Sequence, residues 1–355
     1  MNKKTLFLCI YILFLLLSGN SFARPVNYYE RSPLLDSMSD SHYNSTAIVS
    51  FDVDFPKIDN SITLAENSLN WEPLSDYPYV LMSYFSEMYK LDSSDEGKRE
   101  AIFKRLHILK KKYGFNQMVV DEVPVSIRNL YKEKNKQNRI YDRESGLKAR
   151  LFINKKENTI VLAIAGTDLG LLSMESLNSI GSAVYLGNGG VSAPAAKALQ
   201  LIKALERDYQ GYSLKMTGAS QGGAIAQYVA INSTAEAFVF NSQGLPAYLT
   251  GKLSREQLGR LHHTYVEGEI LNSKSAIPKL ASFLVQNPVP VEGYAIPVDD
   301  VLDIRMTEAF FKKANALSYY VTYYITPESF IRHWTGSILE AVEYYAGFDE
   351  LPSLQ

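Results

Sequence analysis

The sequence predicts an α/β fold, a mostly parallel sheet with helices on both faces, and three observations carry that expectation. Residues 159–164 form an unbroken apolar run, the pattern of a strand buried on both sides. Further short strands are expected at 214–217, 237–241 and 264–271, with segments of helical period among them. A glycine-rich turn joins the first of these strands to an Ala-rich helical stretch at 224–232. Strands alternating with helices pair in parallel through crossovers, which places helices on both faces of the sheet.

The elements follow in chain order. Lys3 and Lys4 precede an apolar run at 6–17, and Ser21, Phe22 and Ala23 close it. This is the pattern of an export signal spanning 1–23, with an apolar run short of the roughly 20 residues that cross a bilayer. Export predicts a secreted or periplasmic protein. The one cysteine, Cys9, leaves with the signal, so the mature chain has no disulfide, thiol nucleophile or thiolate metal site. Residues 24–74 read as an N-terminal extension, rich in Ser, Asn and Asp and broken by Pro25, Pro33 and Pro56. Its regular feature is a half-buried strand at 47–55, where Ala47, Val49, Phe51, Val53 and Phe55 alternate with polar residues.

The main domain is expected over 75–355. Helical character dominates 77–113, with Leu81, Met82, Tyr84, Phe85 and Met88 on one face and Ile102, Phe103, Leu106, Ile108 and Leu109 on another. The charge run at 104–112 reads as a solvated helix face. A strand at 147–153 and the buried run at 159–164 flank the turn residues 154–158. A helix at 194–209 carries Pro194 at its first position, where the missing N–H has no helical partner to lose. The last helix is expected at 334–345. The chain's 36 basic and 38 acidic residues leave a net charge of −2, which argues against holding nucleic acid by electrostatics.

The chemistry concentrates at Gly218-Ala219-Ser220-Gln221-Gly222. A serine between glycines, on a sharp turn from strand to helix, is the nucleophile-elbow pattern. Side chains at the flanks would collide with the adjoining elements. The turn also presents the Gln221 backbone N–H to a developing oxyanion. A serine nucleophile needs a base. Of the five histidines, His42 lies in the extension, His107 in a charged helix, and His262 and His263 just before a strand, at its wrong end. His333 lies downstream of every strand and suits the order Ser, acid, His. The acid is then Glu267 or Glu269, which strand alternation cannot separate, or one of Asp299, Asp300 and Asp303. A second oxyanion donor is expected from Thr167, in the turn after the buried strand. The apolar segment from Leu169 to Leu186, with Leu171, Leu172 and Met174, reads as a lid over an apolar cleft or as a packed helix.

The runs 161–168, 218–223, 238–245 and 266–271, in this order, resemble the lipase-class-3-like α/β-hydrolases, and most of all the bacterial lipase and phospholipase A1-like serine esterases. The resemblance spans roughly 75–345. It implies an α/β-hydrolase fold, hydrolysis of acyl esters of lipid or phospholipid substrates by a Ser-acid-His triad, and no cofactor; no metal or nucleic acid is expected, and contact with a membrane surface is expected to be transient. Matched by position, Ser220 is the nucleophile, Glu269 the acid and His333 the base, with Thr167 and Gln221 forming the oxyanion hole. This sequence departs from the family pattern at Ala219, where histidine is usual, and at Gln221, where leucine is usual. A catalytically silent hydrolase-fold protein that binds lipid or a partner is the alternative.

Overall fold

Strand alternation decides how this chain packs. A computed structural model describes residues 71–88, 96–132, 138–166, 191–242, 244–246, 253–269, 288–289, 293–303, 305–306, 332, 335–348 and 351. All of them fall in the unit running from Trp71 to Gln355. The expected export signal, the strand at 47–55 and the segment 169–186 lie outside the described residues.

Helices α1 (Pro73–Glu87) and α2 (Glu96–Lys111) come first, then the short strands β1 (Asn116–Gln117), β2 (Tyr131–Lys132) and β3 (Arg139–Tyr141). The body of the fold follows as β4 (Lys148–Asn154), β5 (Thr159–Ile164), α3 (Ala193–Asp208), β6 (Ser213–Ala219), α4 (Gln221–Ile231) and β7 (Glu236–Phe240). It closes with β8 (Leu245–Pro246), α5 (Arg255–Gly259), β9 (Leu261–Val266), β10 (Pro288–Val289), β11 (Tyr294–Ile296) and α6 (Thr335–Tyr345).

The main sheet runs β11-β9-β7-β6-β5-β4-β3-β2, with β1 paired to β4. Strands β5, β6, β7, β9 and β11 are parallel, and β4 turns back antiparallel to β5. The expected mostly parallel α/β sheet is therefore present, with an antiparallel edge.

Alternation along β5 splits the core in two. Ile160, Leu162 and Ile164 pack on one face with Leu201, Ile202 and Leu205 of α3 and Ile225 and Val229 of α4. Val161 and Ala163 pack on the other with Tyr77, Leu81 and Phe85 of α1 and Ile338 and Val342 of α6. Burial on both faces is why the sequence of β5 is apolar throughout.

Two expectations need correction. The run at 104–112 is not wholly solvated, because Arg105 on α2 is 1% exposed and makes a bidentate contact with Glu343 of α6, at 2.7 Å and 2.6 Å. The Tyr77 hydroxyl donates to the same carboxylate at 3.0 Å. A guanidinium can be buried when a carboxylate fits its planar fork, and here the partner stands 238 residues away. The strand expected at 264–271 instead runs Leu261–Val266, so His262 and His263 lie within it. Beyond Val266 the chain turns through Gly268, whose φ of +78° is a left-handed conformation that glycine adopts without steric cost.

Candidate active site

The parallel strands β5, β6, β7 and β9 deliver their C-terminal ends to one edge of the sheet, where sites form in this architecture. Ser220 stands between β6 and α4 with φ 52° and ψ −122°. That is a sparsely populated conformation for a residue with a side chain, costing on the order of 1–3 kcal/mol. It persists because its surroundings fix it. The Ser220 N–H donates to the Phe240 carbonyl at 3.1 Å, and its own carbonyl accepts from the Ala224 N–H at 3.2 Å. The Ser242 hydroxyl adds a bond to that carbonyl at 3.5 Å and itself accepts from the Gln227 amide at 2.7 Å.

Two glycines make the turn possible by close approach. A Cβ at Gly218 would lie 2.5 Å from the Gly222 carbonyl carbon, and one at Gly222 would lie 2.4 Å from the Ile164 carbonyl oxygen. With bare backbone, β5, β6 and α4 converge under the serine. Gln221 is the first residue of α4, so its backbone N–H belongs to the positive end of the helix dipole, beside Ser220. Gly166, which ends the described turn after β5, lies close enough that a Cβ there would be 3.7 Å from the Ser220 Cβ. Thr167 and Asp168 follow it in sequence and lie outside the described residues.

The two glutamates at the end of β9 are separated by the turn. Glu267 is exposed, whereas Glu269 has no solvent exposure at all. Strand periodicity could not have distinguished them, because they are not on a strand. Asp303 accepts from Arg332 at 3.0 Å and 3.2 Å. Asp299 accepts from the Tyr344 hydroxyl at 3.0 Å, and Asp300 is exposed. His333 lies outside the described residues, between Arg332 and the start of α6. Of the remaining histidines, His107 is exposed on α2. His262 stacks on Phe238 at 4.4 Å, and burial lowers its pKa. His263 is buried, and its Nε2 accepts from the Ser242 N–H at 3.3 Å.

Sequence reasoning missed two residues. Asn241, just past β7, is fully buried at φ 42°, and its amide bonds both Val266 and Arg332. Arg332 reaches from beside His333 to the Glu267 carbonyl at 3.1 Å. An asparagine ending an apolar strand was the available signal, since asparagine is favoured in left-handed positions.

A strained serine on a strand-to-helix elbow, at the C-terminal edge of a mostly parallel sheet, is the arrangement of the α/β-hydrolase fold. Consistent with that class, residues 114–286 match the family model of a phospholipase-like group, the Tle-like phospholipase domain. No curated protein matches the sequence. Among solved structures, a mutant form of MDLA from Penicillium cyclopium is similar at 13% identity and a TM-score of 0.39, over 64% of this chain and 80% of that one. Lipase II from Rhizopus niveus is similar at 13% identity and a TM-score of 0.33, over 56% of this chain and 73% of that one. Nonglycosylated LIP2 lipase of Yarrowia lipolytica is similar at 13% identity and a TM-score of 0.35, over 56% and 73%. The strand order and the elbow, rather than these distant likenesses, carry the fold.

Proposed function

We propose that this protein is an exported serine hydrolase that cleaves acyl esters of lipids, acting as a phospholipase A1 in preference to an acylglycerol lipase. The observation that carries the reading is the strained backbone of Ser220, at φ 52° and ψ −122° on the turn between β6 and the N-terminus of α4, a kind of strain that clusters at active sites. The match of residues 114–286 to a phospholipase-like family supports a lipid ester as substrate.

In this reading His333 takes the Ser220 proton as the hydroxyl attacks the ester carbonyl. The backbone N–H groups of Gln221 and Thr167 receive the oxyanion. Glu269 accepts the imidazole N–H and stabilises the imidazolium, a role that the buried carboxylate beyond β9 suits better than the exposed Glu267. Collapse of the tetrahedral adduct expels the lipid alcohol, protonated by His333, and leaves an acyl-serine. Water activated by the same histidine then releases the fatty acid. The signal at 1–23 sends the enzyme to the periplasm or the exterior, and contact with the membrane surface is transient.

The test is hydrolysis of phospholipid and acylglycerol dispersions by wild type, Ser220→Ala, Glu269→Gln and Glu267→Gln. Ser220→Ala removes one hydroxyl and should fold normally with no activity. Glu269→Gln should lose roughly a hundredfold or more in turnover, and Glu267→Gln little. Ester hydrolysis that survives Ser220→Ala would make the chain a hydrolase of another kind, and a wild type inert on both lipids would make it a binding protein.

A further inference from the structure

We propose that Asn241 is a positioning residue that holds the chain beside the base and the turn that carries the acid as one unit. The inference rests on the assignment of His333 and Glu269 made above. Both ends of the Asn241 amide are used, and on two different segments. Its Oδ1 accepts the Val266 N–H at 2.9 Å, at the last residue of β9 and three residues before Glu269. Its Nδ2 donates to the Arg332 carbonyl at 2.9 Å, one peptide bond before His333. The Asn241 N–H donates in turn to the Thr264 carbonyl at 3.0 Å.

The connection closes on itself. Arg332 Nη1 donates to the Glu267 carbonyl at 3.1 Å, so residue 332 is tied to the acid's turn by its side chain and to Asn241 by its backbone. Gly268 leaves room for this, since a Cβ there would lie 2.5 Å from Arg332 Nη1. The nucleophile joins the same hub, because the Phe240 carbonyl that accepts the Ser220 N–H belongs to the residue before Asn241.

Asn241 stands at φ 42° and is fully buried. A buried primary amide is stable only when its donor and acceptor are both matched, and these two are matched by backbone groups of separate segments. The left-handed backbone alone does not single this residue out, since Asn138 and Asn158 adopt it too; the two amide bonds do. Asparagine here supplies a crosslink. Misplacement of a catalytic group by about 1 Å costs on the order of a hundredfold in rate, so a crosslink between acid and base segments acts on turnover.

The experiment is turnover and fluorophosphonate labelling of full-length wild type, Asn241→Gly and Asn241→Asp as functions of pH. Glycine keeps the backbone conformation and deletes the amide. Asn241→Gly should lose about tenfold to a hundredfold in kcat with KM within about twofold. Its acid limb should shift to lower pH, because an imidazole less well held against its carboxylate protonates less readily. If the glycine variant fails to fold, Asn241→Asp carries the test. It keeps the acceptor for Val266, loses the amide donor to the Arg332 carbonyl, and should show the same split between kcat and KM. Wild-type kinetics in either folded variant would overturn the positioning role alone, as would a loss of kcat in Asn241→Gly with an unmoved acid limb. A wild-type protein that is neither active nor labelled would overturn the function on which it rests.

Discussion

The two faces of the sheet are built on different principles. On the α3–α4 face the buried residues of the two helices are uncharged and mostly aliphatic, apart from Gln221 and Gln227. The one ion pair to α3 with a buried partner among the described residues is the loose contact of Lys197 with Asp142 at 3.7 Å. On the α1–α6 face, charge is buried at Asp76, Arg105, Arg150 and Glu343. Arg150 of β4 donates to the Phe85 and Met88 carbonyls at 2.9 Å and 2.8 Å, closing the C-terminal end of α1. Asp76, its pKa raised by burial, accepts from Thr264 at 2.7 Å and from Trp71 at 3.0 Å. Thr335, at the start of α6, donates to Glu87 at 2.7 Å, beside the Gly166 turn.

Hydrophobic contact is non-directional, so an aliphatic interface tolerates small slides. Matched ion pairs and hydrogen bonds fix relative position. The α3–α4 face therefore supplies general stability, whereas the α1–α6 face sets where α6 begins, two residues after His333.

The largest effect should come from breaking that match. Glu343→Gln leaves the buried Arg105 guanidinium without its counter-charge and should cost about 3–5 kcal/mol in chemical denaturation. The double variant Arg105→Met, Glu343→Leu should recover much of this, because it removes both charges together. If Glu343→Gln proves neutral, the two faces do not differ as described. On the aliphatic face, Ile202→Val should cost only about 0.5–1.5 kcal/mol and leave activity unchanged. A large loss of turnover there would mean that the α3–α4 face also positions the site.

The smallest effect concerns Glu340, whose pKa is raised by burial and by Glu343, against the opposing pull of Arg105 and Arg305. A carboxyl that holds its proton more tightly when folded contributes stability at low pH and loses it as pH rises through the folded pKa. Glu340→Gln should therefore melt progressively higher than wild type as pH rises above the ordinary carboxylate range. Parallel melting curves across that range would place the carboxyl in water.

What could be read from sequence was local. The β5 run and the elbow are each encoded within a few residues, by an unbroken apolar stretch and by glycines that flank a serine. The buried Arg105 was not legible, because nothing around it distinguishes it from its solvated neighbours and its partner is 238 residues away. Glu269 and Glu267 could not be separated by alternation, since the strand stops at Val266 and Gly268 turns the chain. Asn241 escaped for the same reason as Arg105. Its two partners come from segments 25 and 91 residues downstream, which only the fold brings together.

The central claim is that Ser220 is a nucleophile held ready by its backbone. Mass mapping of the wild-type protein after brief exposure to a fluorophosphonate tests it most directly. The account predicts a single adduct, placed by fragmentation on Ser220 and not on the neighbouring Ser213, Ser233 or Ser242. An adduct on another serine, or none while the protein still hydrolyses lipid, would contradict it.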